Sequence, residues 1–228
     1  AAVQPGISTF DLEKLARKLV SFYKVEPSFL GYQNFPAALC VSVNDEVVHG
    51  VPSATRILKG GDIISLDMGI LRDGFNVDSA LTVPVLGGLT RDQWAKDNPK
   101  LNKLIETTKT ALNAGIEQAK IGNHLGKISN TIQNIAEKEK FGVIREMVGH
   151  GIGRQLHEEP QVPNYGQPDE GPVLEEGMVL AIEPMISAGD WHLVQNGLAY
   201  KTRDGSWASH FEHTVAITKN GPVVLTLL

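Results

Sequence analysis

DIISLDMGILRDGFNVDSALTV, residues 62–83, consists of two β-rich arms, 62–70 and 75–83, joined at Arg72-Asp73-Gly74, and each arm carries an acid among apolar neighbours. Gly74 can supply the positive φ that a tight turn between antiparallel strands requires, so the stretch predicts a hairpin. Asp67 lies in the middle of the apolar run IISLDMGI. Burying an unpaired carboxylate there costs several kcal/mol, about the size of a large core mutation, or forces the group to protonate. A cation is therefore expected beside it. Asp78, between Val77 and the run ALTV, carries the same argument more weakly.

The pattern recurs downstream. Leu58-Lys-Gly-Gly61 followed by IISLD resembles Leu174-Glu-Glu-Gly177 followed by VLAIE, and His49-Gly-Val-Pro52 resembles His157-Glu-Glu-Pro160. Glu183 in VLAIEPMI thus stands where Asp67 stands, and Glu212 before HTVAIT stands where Asp78 precedes ALTV. Repeated supersecondary units imply two related halves. If they pack about a pseudo-two-fold axis, each brings one histidine and two carboxylates to the centre. Duplication of a folding unit without chemistry would leave the same trace.

Helices flank these strands. Ser8 with Asp11 makes a capping-box-like start, and Leu12, Leu15, Ala16 and Leu19 recur at helical spacing. Asp97 or Asn98 can cap a helix with Pro99 in its first turn and Leu101, Leu104, Ile105, Leu112 and Ile116 on its buried stripe. Leu125, Ile128, Ile132 and Ile135 mark another. A break at Asn44-Asp45 between LCVSV and EVVHG suggests a further hairpin, and strands are expected around Val148 and in VVLTLL. The reading is one α+β domain over residues 1–228, without linker or low-complexity segment.

Composition restricts the functional classes. With 42% hydrophobic and 21% charged residues the chain is an ordinary globular one. Its net charge of -5 and the lack of a Lys/Arg stripe argue against nucleic acid as a partner. No apolar run approaches the length of a membrane span, and the first residues lack a signal-peptide pattern. A single cysteine, Cys40, permits no intrachain disulfide, so the cytoplasm is the expected compartment.

Four carboxylates and an imidazole, Asp67, Asp78, Glu183, Glu212 and His150, form an oxygen-rich donor set able to hold two divalent ions. Mixed O and N donors suit Mn, Fe, Co or Zn better than Ca. Two ions sharing a water would supply hydroxide near neutral pH. His150 and His157 lie seven residues apart in GHGIGRQLHEEP, where Gly149, Gly151 and Gly153 let the backbone come close to a site. His213 is expected to pack away from Glu212, His210 to share its face, and His124 and His192 to be surface groups.

EVVHGVP (46–52), ISLDMGILRDGFNVDSA (64–80), GHGIGRQLHEEP (149–160), AIEPMI (181–186) and FEHTVAIT (211–218) resemble, in order and spacing, the type I methionine aminopeptidases. The resemblance covers nearly the whole chain, although that family has a further segment before the position of Ala1. It implies the pita-bread fold, a curved antiparallel sheet with helices outside. It implies that Asp78 and Glu212 bridge two ions, that Asp67 completes one site, and that His150 with Glu183 completes the other. His49 and His157 match the family's substrate-contacting histidines, with His157 on the tetrahedral centre and Glu183 shuttling protons. In the methionine pocket Tyr32 and Cys40 match, whereas Phe29, Phe35, Leu156 and Leu198 stand where a small thiol, Tyr, Phe and Trp are common. The implied substrates are the N-termini of nascent proteins or peptides with a small second residue. A monomer is expected, and proximity to the ribosome is left open. An aminopeptidase P or prolidase, or a metal-free pita-bread binding module, are the competing readings.

Overall fold

The computed structural model describes residues 2–227. In the first half α1 (Thr9–Tyr23) is followed by β1 (Glu26–Pro27), β2 (Cys40–Val43), β3 (Glu46–Val48), β4 (Ile63–Arg72) and β5 (Phe75–Pro84). Three helices come next: α2 (Arg91–Asp97), α3 (Pro99–Gln118) and α4 (Gly126–Lys138). The second half holds β6 (Gly142–Val143), β7 (Gly149–Gly151), β8 (Glu158–Val162), β9 (Val179–Ile182) and β10 (Met185–Ser187). It continues through β11 (Leu193–Asn196), β12 (Ala199–Thr202), β13 (Ala208–His210), β14 (His213–Thr218) and β15 (Gly221–Val224). Among the described residues no helix is long and apolar enough to cross a membrane.

The 62–83 stretch forms the expected hairpin, β4 and β5, paired antiparallel over its full length. Its loop is Asp73-Gly74, and both residues have positive φ (52° and 79°). That is the geometry of a type I′ turn, whose twist matches that of the flanking strands. Strand β2 pairs with β4 on the other side, so three antiparallel strands run in the order β2-β4-β5. In the second half β7-β9-β14 repeat that order, with Ser42↔Ser65↔Thr82 answered by His150↔Ala181↔Thr214, the middle residues Ser65 and Ala181 standing two before Asp67 and Glu183. This is the internal duplication in three dimensions, and the pita-bread architecture follows from it.

Two threonines join the halves at their common edge. Thr214 Oγ1 donates to Asp78 O and accepts from Asp78 N–H, each at 2.8 Å, and Thr82 Oγ1 does the same with His210 O and N–H at 2.8 Å. Glu212 N–H adds a bond to Ala80 O at 2.9 Å, and Ser79 Oγ donates to Glu212 O. Strands that carry the acids are thus fastened by hydroxyls rather than by a regular ladder.

Elsewhere the structure departs from the sequence reading in detail. Chain direction reverses at Asn44 (φ 61°), but β2 and β3 form no ladder; β3 pairs with β12 instead. Asn44 explains the divergence, because its side chain bonds Asp62 and Ile63 N–H while its carbonyl accepts from Ala208. VLAIEPMI is not one strand but two, β9 and β10, in different sheets and separated at Glu183-Pro184. On α1 the buried face is Leu12, Glu13, Ala16 and Val20, whereas Leu15 and Leu19 face outward. The helix rotates this way because Glu13 accepts from the backbone N–H groups of Ala38 and Leu39. A separate short helix, α2, has its own Thr90/Gln93 capping box, so Asn98 starts α3 without a side-chain cap. Gly149 and Gly151 have no positive φ; a Cβ at either would fall within 2.3 Å of the Ala181 or Glu159 carbonyl, so close strand packing excludes any side chain.

The seam makes a quantitative demand. Thr82→Val or Thr214→Val leaves a buried backbone N–H without its partner, and each should lose about 1–3 kcal/mol of stability in urea unfolding. A loss below about 0.5 kcal/mol, the level of an ordinary surface change, would show that the seam does not hold the halves.

Candidate metal centre and substrate cavity

The four acids line one cavity from four backbone positions. Asp67 projects from mid-β4, Asp78 from β5 opposite Gly69, Glu183 from the break after β9, and Glu212 from the residue before β14. His150 comes from the middle of β7. Asp67, Asp78 and Glu212 are 9%, 4% and 2% exposed. The donor atoms of Asp78, His150 and Glu212 all lie within 4.8 Å of one another. His150 Nε2 stands 3.7 Å from Glu183 Oε1, and its Nδ1 faces the Gly151 carbonyl at 2.8 Å, leaving Nε2 toward the acids.

Among the described residues no Lys or Arg pairs with any of the four acids. Asp67 Oδ1 and Glu212 Oε1 are buried with no hydrogen-bond partner at all. Burial pushes the Asp67 carboxyl up to about 6 and Glu183 up to about 7. Asp78 and Glu212 are driven well above the carboxylate range, first by burial and then by the neighbouring acids. Burial also depresses His150, His157 and His49, which keeps these imidazoles neutral and able to ligate or hydrogen-bond. Unpartnered carboxylate oxygens near a neutral imidazole are a donor set that divalent cations fit.

A cavity of about 230 Å³ opens on this cluster. Its walls include every residue expected at the site: the five candidate ligands, His49, His157, Tyr32, Phe35, Cys40, Leu156 and Leu198. Phe29 stands edge-on to Phe35, with ring centroids 6.5 Å apart, and packs with Cys40 and Leu156 into a small apolar cluster. The Cys40 thiol is pushed upward by burial and then by Asp67, so it is neutral and serves as a wall. Leu198 is 40% exposed and forms the rim. His157 Nδ1 lies 2.7 Å from the Tyr32 hydroxyl, and its ring meets His150 edge-on at 4.3 Å. His49 has a left-handed backbone (φ 59°), a costly conformation for a non-glycine residue and one that concentrates at functional positions.

The remaining histidines divide as expected in part. His213 turns away and meets Thr226 Oγ1 at 2.9 Å. His210 is buried, with Nε2 3.4 Å from Glu183 Oε2. Sequence reasoning misses Met147, Val148 and Met185 as cavity walls, although each lies within three residues of His150 or Glu183. It also misses Asn164, whose amide donates to Glu183 O at 3.0 Å from a distant loop that no local signal connects to the site.

Over residues 1–219 the chain matches metallopeptidase family M24. It is 47% identical to a methionine aminopeptidase of Clostridium acetobutylicum, over 99% of this chain and 88% of that one, and 46% identical to methionine aminopeptidase 1 of Bacillus subtilis, over 98% and 87%. A solved methionine aminopeptidase from Thermotoga maritima superposes with a TM-score of 0.92 at 43% identity, covering 99% of this chain and 88% of that one. The chain belongs to family M24 and, within it, to the methionine aminopeptidases. A prolidase from Pyrococcus furiosus shares the fold, with a TM-score of 0.73 and 24% identity over 58% of its length.

Metal uptake should be visible as proton release. Asp67 and Glu183, with pKa values raised to about 6 and 7, carry protons below those values, and a cation must displace them. Metal affinity therefore falls as pH drops from 7 through 6. Calorimetric titration of Mn into the metal-free protein, in two buffers of different protonation enthalpy, should give net proton release that is larger at pH 6 than at pH 8. Equal values at both pH values would separate these acids from metal binding.

Proposed function

We propose that the chain removes the N-terminal methionine from proteins and peptides whose second residue is small, with two divalent ions held by Asp67, Asp78, His150, Glu183 and Glu212. The observation that carries this reading is the convergence of those five groups on one cavity whose other wall is apolar. Asp67, Asp78, His150, Glu183 and Glu212 are the residues that would hold the ions, with Asp78 and Glu212 proposed to serve both. Cobalt, manganese, iron and zinc all suit this mixture of donors. Bound there, divalent ions would lower the pKa of an attacking water and polarise the scissile carbonyl.

The protein's own groups do the rest. Glu183, with a pKa near neutrality, is suited to take a proton from the attacking water and pass it to the leaving amine. With the Tyr32 hydroxyl donating to Nδ1, His157 presents Nε2–H to the oxygen on which negative charge develops. His49 stands beside the substrate's second residue, where a large side chain would meet it. Phe29, Tyr32, Phe35, Cys40, Leu156 and Leu198 enclose the first side chain. Methionine, flexible and polarizable, packs well in such a mixed aliphatic and aromatic wall. The substrates that follow from this reading are nascent-chain N-termini in the cytoplasm. Specificity for proline peptides has less support, since likeness to the prolidase extends to the fold alone.

Asp78→Asn or Glu212→Gln should abolish methionine release even with added Mn or Co, because an amide supplies neither the charge nor a second anionic oxygen. His157→Ala should lose about 2.7–4 kcal/mol of transition-state stabilisation while keeping its metal; loss of metal would make it a ligand instead. On peptides, kcat/KM should be much higher for Met-Ala-Ser than for Met-Leu-Ser, and equal values would refute the small-residue preference. Leu at the rim in place of a larger group should let norleucine or Leu substrates be cleaved measurably, since one methylene discriminates by only about 1–3 kcal/mol. Leu198→Trp should shift the Met/Leu ratio, and an unchanged ratio would remove Leu198 from the pocket.

A further inference from the structure

His210 is buried, at 2% exposure, and among the described residues neither of its ring nitrogens has a hydrogen-bond partner. Leaving both unpaired costs free energy, so such a group in a well-packed site calls for an explanation. Its backbone cannot swing to relieve this. The N–H and carbonyl are both held by Thr82 Oγ1, and β13 is paired with β10 through His210↔Met185, two residues from Glu183. His210 Nε2 lies near the Glu183 carboxylate, which sits between two imidazoles: Oε1 is 3.7 Å from His150 Nε2, and Oε2 is 3.4 Å from His210 Nε2, within reach of a donor that is not yet aligned as a hydrogen bond.

We infer that His210 is a positioning residue for Glu183, donating Nε2–H to the carboxylate oxygen turned away from His150 and so fixing the orientation in which Glu183 serves the metal centre. The inference rests on the proposed ligand assignment and adds a residue to it. The tautomer follows from the surroundings. With the proton on Nδ1, a buried N–H would be unpaired and the Nε2 lone pair would face a carboxylate oxygen; with the proton on Nε2 that contact becomes attractive. A carboxylate left free to rotate would exchange its two oxygens and lose its fixed relation to His150. Groups that hold a ligand from behind typically change metal affinity about 10–100-fold when removed.

The test is titration of the full-length, metal-free protein with Co(II), followed by visible absorption, with methionine release measured in parallel. His210→Leu should weaken one of the two cobalt equivalents about 10–100-fold and lower kcat more than it raises KM. His210→Gln, whose amide N–H can reach the same oxygen, should recover most of both with a wild-type cobalt spectrum. His210→Phe repeats the test if the Leu variant does not fold. Unchanged cobalt affinity and spectrum in the Leu or Phe variant would overturn the inference. So would a Gln variant as impaired as Leu with an altered spectrum, which would make the imidazole a direct ligand. Failure of the underlying assignment shows differently: wild-type protein and Asp78→Asn would then bind cobalt alike.

Discussion

Four carboxylates that line one cavity, with no Lys or Arg among the described residues paired to them, are the constraint on which the rest of the structure depends. An unpaired buried ion costs several kcal/mol even after relaxation, on the scale of about half a small protein's net stability. The protein alone has two ways to reduce this cost: protonate the acids, as their raised pKa values indicate, or admit a cation. Protonated acids repel each other little but coordinate nothing. A divalent ion resolves the charge and creates the reactive centre in the same event, so for this fold metal binding and function are a single requirement.

Holding like charges together takes rigid backbone, and the duplicated architecture supplies it. Each half contributes a three-strand antiparallel unit, and Thr82 and Thr214 fasten the two units with reciprocal bonds at the residues that carry or neighbour the acids. Because the acids come from different strands, no single loop movement can disperse them. The pocket, by contrast, is built from the 29–40 segment, the 147–157 segment and the Leu198 rim. Under the proposed assignment, specificity can vary by replacement of the apolar side chains in these segments while the ligand residues, His150 among them, stay in place.

Much of this is legible in the amino-acid sequence. Asp67 and Glu183 stand out as charges in apolar runs, the repeat predicts two related halves, and the Asp73-Gly74 turn holds the β4-β5 hairpin in place. What stays hidden depends on contacts distant in sequence. Glu13 is 1% exposed and accepts from backbone 25 residues away, a contact that no local pattern on its helix announces. Thr82 and Thr214 read as ordinary strand threonines, and their role exists only once the halves meet. Asn44-Asp45 looks like a hairpin because local turn chemistry is the same whether or not the flanking strands then pair. His210 can be placed on the Glu212 face by alternation, but that both its nitrogens lack partners is a property of the packed site.

The claim that two ions sit between these five residues is tested most directly by anomalous diffraction from crystals of the cobalt-loaded protein. The account predicts two anomalous peaks about 3.5–4 Å apart, both in contact with Asp78 and Glu212, one also with Asp67 and the other with His150 and Glu183. A single peak at saturating cobalt, or peaks that leave Asp78 or Glu212 uncoordinated, would contradict it.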